Sequence, residues 1–206
     1  MMILENCYTR SRILIFILIG LIILFVPTLL HAQFTEFQPE FYYQNSLAIQ
    51  KTGIIILTSW AGLNILTGIS GNFRYQNESK YFFQMNAAWN VVNLGIAAFG
   101  FVGIANAVLE VDASNMFQEM EKFDRILLIN VGLDVFYISI GSYLLSAGLK
   151  NNRVRFIGYG RSIILQGGFL FLFDLILFLV HSPNTKSLYQ ITEKINITIT
   201  GFTLVF

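Results

Sequence analysis

The chain has 206 residues, of which 55% are hydrophobic and only 12% are charged. A soluble domain carries roughly twice that charged fraction, so the composition indicates a membrane protein with four or five spans. The net charge of +1 excludes the strongly basic footprint that a nucleic-acid-binding protein would carry.

Residues 1–32 are predicted to form a signal peptide. Arg10 and Arg12 precede an apolar run over 13–30, and Ala32 supplies a small residue at the predicted cleavage site. The run is longer than the usual apolar core of about 7–15 residues, so an uncleaved anchor remains as the alternative. Either segment places the following residues on the extracytoplasmic side.

Residues 33–180 are predicted to form an all-α bundle of four transmembrane helices. The apolar runs set their approximate bounds at 52–70, 81–109, 126–149 and 156–180. Residues 33–50 form a polar and aromatic lead-in, and residues 110–124 form an acidic loop. Basic residues concentrate in the connections 71–80 and 150–155, so the positive-inside rule predicts that both termini are extracytoplasmic.

Residues 181–206 are predicted to form an extracytoplasmic tail. Pro183 is expected to stop the fourth helix. Residues 195–200 alternate strictly between apolar and polar side chains, which predicts a β-like segment. The four long helices argue against a barrel strand at this position.

The second span carries a polar stripe. Asn86, Asn90, Asn93, Ala97 and Gly100 follow one another at steps of three or four residues and therefore share one side of a helix. Because lipid offers amide groups no hydrogen-bond partner, this stripe must face protein or a cavity. The stripe predicts that the helices close around a polar seam.

The other spans carry matching polar groups. The predicted seam consists of Asn64, Asn86, Asn90, Asn93, Asn130, Asp134, Gln166 and Asp174. The amides are expected to be interhelical hydrogen-bond partners, whereas a carboxyl group at bilayer depth is costly and is the better functional candidate. Trp60 and Trp89 are the candidate packing anchors. The sequence leaves open whether this seam is dry or faces water.

The sequence does not support several kinds of cofactor, metal or catalytic site. The predicted mature chain retains only His181, so a bis-histidine haem or histidine-rich metal site is excluded, and no cofactor is expected. The protease, hydrolase and P-loop motifs are absent. The protein is therefore predicted not to be an enzyme, with an aspartyl pair of Asp134 and Asp174 as the only catalytic alternative.

A resemblance to a known family rests on four segments: WAGLNILTG, FFQMNAAWNVVN, NVGLDVFYISIG and LQGGFLFLFD. Through these segments, most of residues 45–180 resembles a family of small, uncharacterised bacterial membrane proteins that have a signal peptide and four predicted spans. The resemblance implies this topology and no activity. Its motif positions fall on Trp60, Asn64, Gln84, Asn86, Trp89, Asn90, Asn93, Asp134, Gln166 and Asp174.

Two functions fit the sequence. The first is a non-enzymatic structural or partner-binding protein of the bacterial cytoplasmic membrane, which forms a homo-oligomer or binds another membrane protein. The second is a small channel or carrier in which Asp134 and Asp174 bind a proton or cation. A segment pair separated by seventy residues, GLNI at 62–65 and GLDV at 132–135, hints that the bundle consists of two related helical hairpins.

Overall fold

The computed structural model describes residues 39–110 and 115–203, with side chains described for 40–107 and 115–190. This part of the chain contains no strand and forms four helices: α1 (Pro39–Arg74), α2 (Asn77–Glu110), α3 (Met116–Lys150) and α4 (Val154–Thr203). The predicted all-α, four-helix class is confirmed. The predicted signal peptide lies outside the described residues.

Each helix contains a segment long and apolar enough to cross a membrane: Glu40–Arg74, Asn77–Ala107, Met116–Lys150 and Val154–Gln190. The four predicted spans fall one in each helix, in the predicted order. The helices have 34 to 50 residues, which corresponds to about 50–75 Å at a rise of 1.5 Å per residue. Each helix is therefore much longer than the ~30 Å apolar core of a bilayer.

Two segments that were predicted to lie outside the spans, as a lead-in or interfacial helix and as an acidic loop, belong to the long helices instead. Residues 39–50 of the lead-in belong to α1, and residues 116–124 of the acidic loop belong to α3. Both extensions bury apolar side chains in one cluster with α4. This terminal apolar cluster consists of Tyr43, Leu47, Met116, Met120 and Leu188. Tertiary packing of this kind supplies most of the stability of a helix in a protein, so the helices continue past their apolar runs.

The prediction of a β-like tail is also wrong for the described residues, because α4 continues to Thr203 and Pro183 lies inside it. A proline inside a helix costs about 3 kcal/mol. Here the helix is held by burial on both sides of the proline, at His181 and Ser182 before it and at Thr185 and Leu188 after it. This packing offsets the cost and keeps the helix continuous.

Two short connections fold the chain into two helical hairpins. Asn77 and Asn152 adopt the left-handed conformation, with φ of 53° and 50°, which asparagine tolerates better than most residues. After α3, the N–H of Arg153 donates to the carbonyl of Gly148 at 2.9 Å, as in a Schellman motif. We call the end of the bundle with these connections the turn end, and the opposite end the terminal end.

Helix α4 is the centre of the bundle. It packs along α3 within the second hairpin and contacts both α1 and α2 of the first hairpin, while α1 packs mainly on α2. A Cβ at Gly160 would collide with the backbone of α3, and a Cβ at Gly158 would collide with the backbone of α2. Glycine at these positions lets the backbones approach closely, as small residues do in membrane helix packing.

The distribution of side chains is the reverse of that in a soluble protein. Large apolar side chains such as Phe73 and Phe99 are 85% and 81% exposed, whereas Asn90 and Gln166 are fully buried. A bilayer accepts apolar side chains on the outside but offers no partner to polar ones. The side-chain distribution therefore agrees with the four membrane-length segments.

Candidate functional site

Four side chains form a closed ring of hydrogen bonds between the hairpins. The indole N–H of Trp60 donates to Gln166 Oε1 at 3.0 Å, and the Gln166 amide donates to Asn86 Oδ1. Asn86 Nδ2 donates in turn to Asn64 Oδ1 at 2.8 Å, and Asn64 Nδ2 donates to the Trp60 carbonyl at 2.8 Å. We call this set the amide ring. It joins α1, α2 and α4.

The buried polar atoms of the amide ring are all hydrogen-bonded. None of the buried side-chain nitrogen or oxygen atoms in it lacks a hydrogen-bond partner. Gln166 is fully buried and Asn86 is 2% exposed. The Trp60 ring is stacked on Phe169 with a centroid distance of 3.9 Å, so an aromatic pair covers one side. The ring contains only neutral groups that bond to one another.

The polar stripe of α2 continues from the amide ring. Asn90 Nδ2 donates to the Asn86 carbonyl at 2.8 Å, and Asn93 Nδ2 donates to Asn90 Oδ1 at 3.3 Å. Asn90, Asn93 and Ala97 are buried, and Gly100 faces Ile54 of α1. The five positions of the predicted stripe thus all face the bundle interior.

The two predicted carboxylic acids lie together. The Asp134 carboxyl group on α3 lies beside the Asp174 carboxyl group on α4, and the Asn130 side chain lies beside Asp174. Both carboxyl groups are buried, and Asp134 Oδ2 has no partner. Two ionised carboxylates offer only acceptors and repel each other, so a hydrogen bond between them would require a proton on one of them. We call these three residues the carboxyl cluster.

The second aromatic anchor links the hairpins at another point. Trp89 of α2 meets Tyr137 of α3 edge to face, with a centroid distance of 4.9 Å. Such aromatic pairs contribute about 0.5–1.5 kcal/mol beyond the area that they bury. Trp60 and Trp89 both lie at contacts between the hairpins, as expected of packing anchors.

A third polar group lies nearer the terminal end. His181 Nδ1 lies 2.7 Å from Asp124 Oδ1, and His181 Nε2 lies 2.5 Å from Ser46 Oγ. Gln50 Nε2 donates to Ser46 Oγ at 3.2 Å. We call Ser46, Asp124 and His181 the histidine clasp. It joins α1, α3 and α4, and His181 and Ser46 are fully buried.

The order of atoms in the clasp is that of a hydrolase relay, with serine, histidine and aspartate in sequence. Its surroundings differ from those of a catalytic site. Ser46 lies inside α1, and the clasp lies between the terminal apolar cluster and a second apolar cluster formed by Ile49, Leu127 and Leu177. The clasp links three helices through two fully buried side chains and one partly exposed carboxyl group.

The sequence comparison identifies the family. The model of a family of unknown function, DUF6992, matches residues 56–175, which is more than half of the chain. The chain belongs to the DUF6992 family. No curated protein and no solved structure matches it. The predicted resemblance to a family without an assigned activity is therefore confirmed, while its bacterial origin and its signal peptide remain predictions.

The DUF6992 region contains most of the polar interior. The amide ring, the asparagines that follow it on α2 and the carboxyl cluster all lie within residues 56–175, as do both connections at the turn end. Of the histidine clasp, only Asp124 lies inside this region, whereas Ser46 and His181 lie outside it.

The sequence predicted that the eight seam residues line one polar seam between the helices. In the structure they form two groups: the amide ring with its α2 extension, and the carboxyl cluster. The histidine clasp was missed altogether. Ser46, Asp124 and His181 lie outside the apolar runs, where polar residues are ordinary, and no local pattern connects them. Only the extension of three helices beyond these runs brings them together.

Proposed function

We propose that the protein is a non-enzymatic integral membrane protein with a structural or partner-binding role. In this proposal the amide ring and the histidine clasp hold two helical hairpins in one fixed arrangement. The observation that carries the proposal is the closure of the amide ring. Trp60, Gln166, Asn86 and Asn64 bond to one another rather than to an open space.

Hydrogen bonds between membrane helices stabilise a bundle by about 0.6–2 kcal/mol each. A water-filled channel would need polar atoms that remain available to water or to a passing ion. Gln166 and Asn90 are fully buried, and the ring leaves none of its own buried polar atoms unpaired. This arrangement favours assembly over conduction along the amide ring.

The proposal places the protein in a bacterial cytoplasmic membrane with both termini extracytoplasmic. Charge supports this orientation, because the two connections of the turn end are flanked by exposed Arg74, Lys80, Lys150, Arg153 and Arg155. The positive-inside rule assigns such an end to the cytoplasm. In this proposal the partners are the lipid bilayer and either further copies of the chain or another membrane protein. The proposal involves neither a cofactor nor a nucleic acid.

Thiol accessibility tests whether the seam is dry. The chain has one cysteine, Cys7, so single cysteines can be introduced into a Cys7→Ser background at Asn64, Asn90, Asp134 and Asp174. A membrane-impermeant maleimide should leave all four unmodified in intact cells. Exposed Asn115 provides the reactive control and fully buried Ala61 the unreactive one. Modification at residues 64 and 90 would contradict a dry seam.

The carboxyl cluster supports a second candidate function, a small carrier or channel. A buried pair of neighbouring carboxyl groups, with Asp134 Oδ2 left without a partner, can share one proton and take it up or release it. Among the described residues, no three His, Cys, Asp or Glu side chains are grouped so as to hold a metal ion. The cluster therefore suits a proton better than a metal cation.

Proton flux through proteoliposomes tests this second candidate. Under an imposed membrane potential, the parent should acidify the vesicle lumen and Asp134→Asn should not, because an amide cannot exchange the shared proton. Glu119→Gln, which removes an exposed carboxylate on the same helix, is the matched control and should keep the flux. A parent no faster than protein-free vesicles would remove the carrier function and leave the structural one.

A further inference from the structure

One end of the bundle carries positive charge that the described residues neutralise only in part. The ion pair between Arg161 of α4 and Glu78 of α2, at 4.0 Å, shows that the two hairpins meet at the turn end. Among the described residues Glu78 is the only acidic side chain there, so six basic side chains leave a net charge of +5. The six are Arg74, Lys80, Lys150, Arg153, Arg155 and Arg161.

Aromatic rings hold two of these cations in place. The guanidinium group of Arg155 lies 5.2 Å from the centre of the Tyr81 ring, and that of Arg153 lies 5.3 Å from the Phe156 ring. Tyr81 belongs to α2 and meets Tyr159 of α4 edge to face, so Arg155 lies where the hairpins join. A cation on an aromatic face keeps its N–H donors free for an anion.

The tyrosines also indicate where the turn end lies relative to the headgroups of the bilayer. Tyrosine side chains collect at the boundary between the apolar core and the headgroups of a bilayer. Tyr75, Tyr81 and Tyr159 all lie near the connections of the turn end. The neighbouring guanidinium and ammonium groups are thereby held at the level where phospholipid phosphates lie.

The terminal end is different. There Lys122 is paired with Glu119 at 3.4 Å, and Arg125 is paired with Glu121 at 3.6 Å. In contrast, no carboxylate of the described residues pairs with Lys150, Arg153 or Arg155. Both ends have exposed cations, but among the described residues the terminal end pairs two of them with carboxylates, whereas the connection between α3 and α4 pairs none.

We propose that the turn end binds the phosphate headgroups of anionic phospholipids. Lys150, Arg153 and Arg155 on the connection between α3 and α4 make the main contacts, and Lys80 of the first hairpin contributes from α2. The planar guanidinium group donates two parallel hydrogen bonds to a phosphate. An anionic lipid is preferred over a zwitterionic one, because its phosphate charge is not balanced by a choline or amine.

The full-length protein in nanodiscs provides the test. Nanodiscs are prepared with phosphatidylcholine alone or with added phosphatidylglycerol, and the lipids that stay bound are quantified by native mass spectrometry. The parent should retain phosphatidylglycerol selectively. Each cation near an anionic surface is expected to contribute about fivefold in affinity. The triple variant K150Q/R153Q/R155Q should therefore lose selectivity by on the order of a hundredfold.

The matched control removes three cations at the terminal end, as K122Q/R125Q/K186Q, and should retain the selectivity of the parent. The charge-conserving variant K150R/R153K/R155K should retain most of it. Equal loss in both glutamine variants would overturn the proposal, as would a parent without selectivity. Displacement of phosphatidylglycerol by inorganic phosphate at millimolar concentration would also overturn it, since the site would then be a general anion site.

The proposal requires the membrane placement proposed above but not the orientation, because both faces of a nanodisc are accessible. Incorporation into the nanodisc is measured separately from lipid selectivity. A chain that does not enter the disc overturns the membrane placement and the lipid site with it. A chain that enters the disc without preferring phosphatidylglycerol overturns the lipid site alone.

Discussion

The amide ring and the histidine clasp both connect the two hairpins through buried polar groups, but they use different chemical groups to do so. Both join the first hairpin to α4, through Gln166 in one case and His181 in the other. The ring uses neutral amides and an indole, whereas the clasp includes an aspartate whose side chain is still 13% exposed. Neutral amides can be buried deep in the seam, while a charged group is tolerated only where it stays close to water.

This comparison separates two kinds of contribution to stability. The ring lies in the region shared with the DUF6992 family and connects α1, α2 and α4, so it sets how the hairpins meet. The clasp lies about fifteen residues from the ring on α1 and on α4, nearer the terminal end, and adds α3 to the connection. The two regions should therefore break independently, and the clasp should be the more sensitive to loss of a partner.

The largest effect is expected from His181→Ala. The change removes both hydrogen bonds of a fully buried ring, leaves Asp124 without its partner and opens a cavity beside Phe123. Bonds to charged groups contribute about 1.5–3 kcal/mol and cavities add to the cost, so we expect a loss of about 3–5 kcal/mol. Equilibrium unfolding in mixed micelles measures it. Leu179→Ala, at an exposed position of the same helix, should be close to neutral.

Gln166→Ala should have the next largest effect. It breaks the amide ring at its only member from the second hairpin and leaves the Trp60 N–H and Asn86 Oδ1 without their partner. Two interhelical bonds of about 0.6–2 kcal/mol each predict a loss of about 2 kcal/mol. The control is Gln84→Ala, since exposed Gln84 accepts only the Tyr159 hydroxyl. An equal cost for both variants would show that the ring is not specially stabilising.

A double-mutant cycle should show that the two regions are independent. Within the clasp, His181→Ala and Asp124→Asn share one hydrogen bond, and a coupling of about 1.5 kcal/mol is expected. Between the regions, His181→Ala and Gln166→Ala lie fifteen residues apart on α4 and should add to within about 0.5 kcal/mol. A larger cross-coupling would mean that the hairpins separate as one unit when either connection is lost.

Much of this fold follows from hydrophobic patterning alone. The apolar runs located four helices, and the steps of three and four residues from Asn86 to Gly100 gave the buried face of α2, because both signals are local. The helix ends were wrong for a physical reason. Tyr43, Met116 and Leu188 are far apart in sequence, and their joint burial extends α1, α3 and α4 through segments whose polarity indicates loops.

The candidate site shows the same limit. Asn64, Asn86 and Gln166 stood out as amides inside apolar runs, and their helical spacing predicted that they face a seam. Which of them bond together depends on the angles and offsets of the helices, which no local pattern contains. Ser46 and His181 did not stand out as site residues, since a serine in a polar lead-in and a histidine just after a span are ordinary.

The smallest effect should come from Asn93→Ala, at the end of the asparagine row on α2. Asn93 donates a single bond of 3.3 Å to Asn90 within its own helix, and alanine is the better helix former. We therefore expect a loss of about 0.6 kcal/mol at most. Asn90→Ala, which also removes the bond to the Asn86 carbonyl, should cost more. If Asn93→Ala cost more than about 2 kcal/mol, buried Asn93 would have to stabilise the bundle interior by more than its bond to Asn90, and the asparagine row would count as part of the connection between the helices.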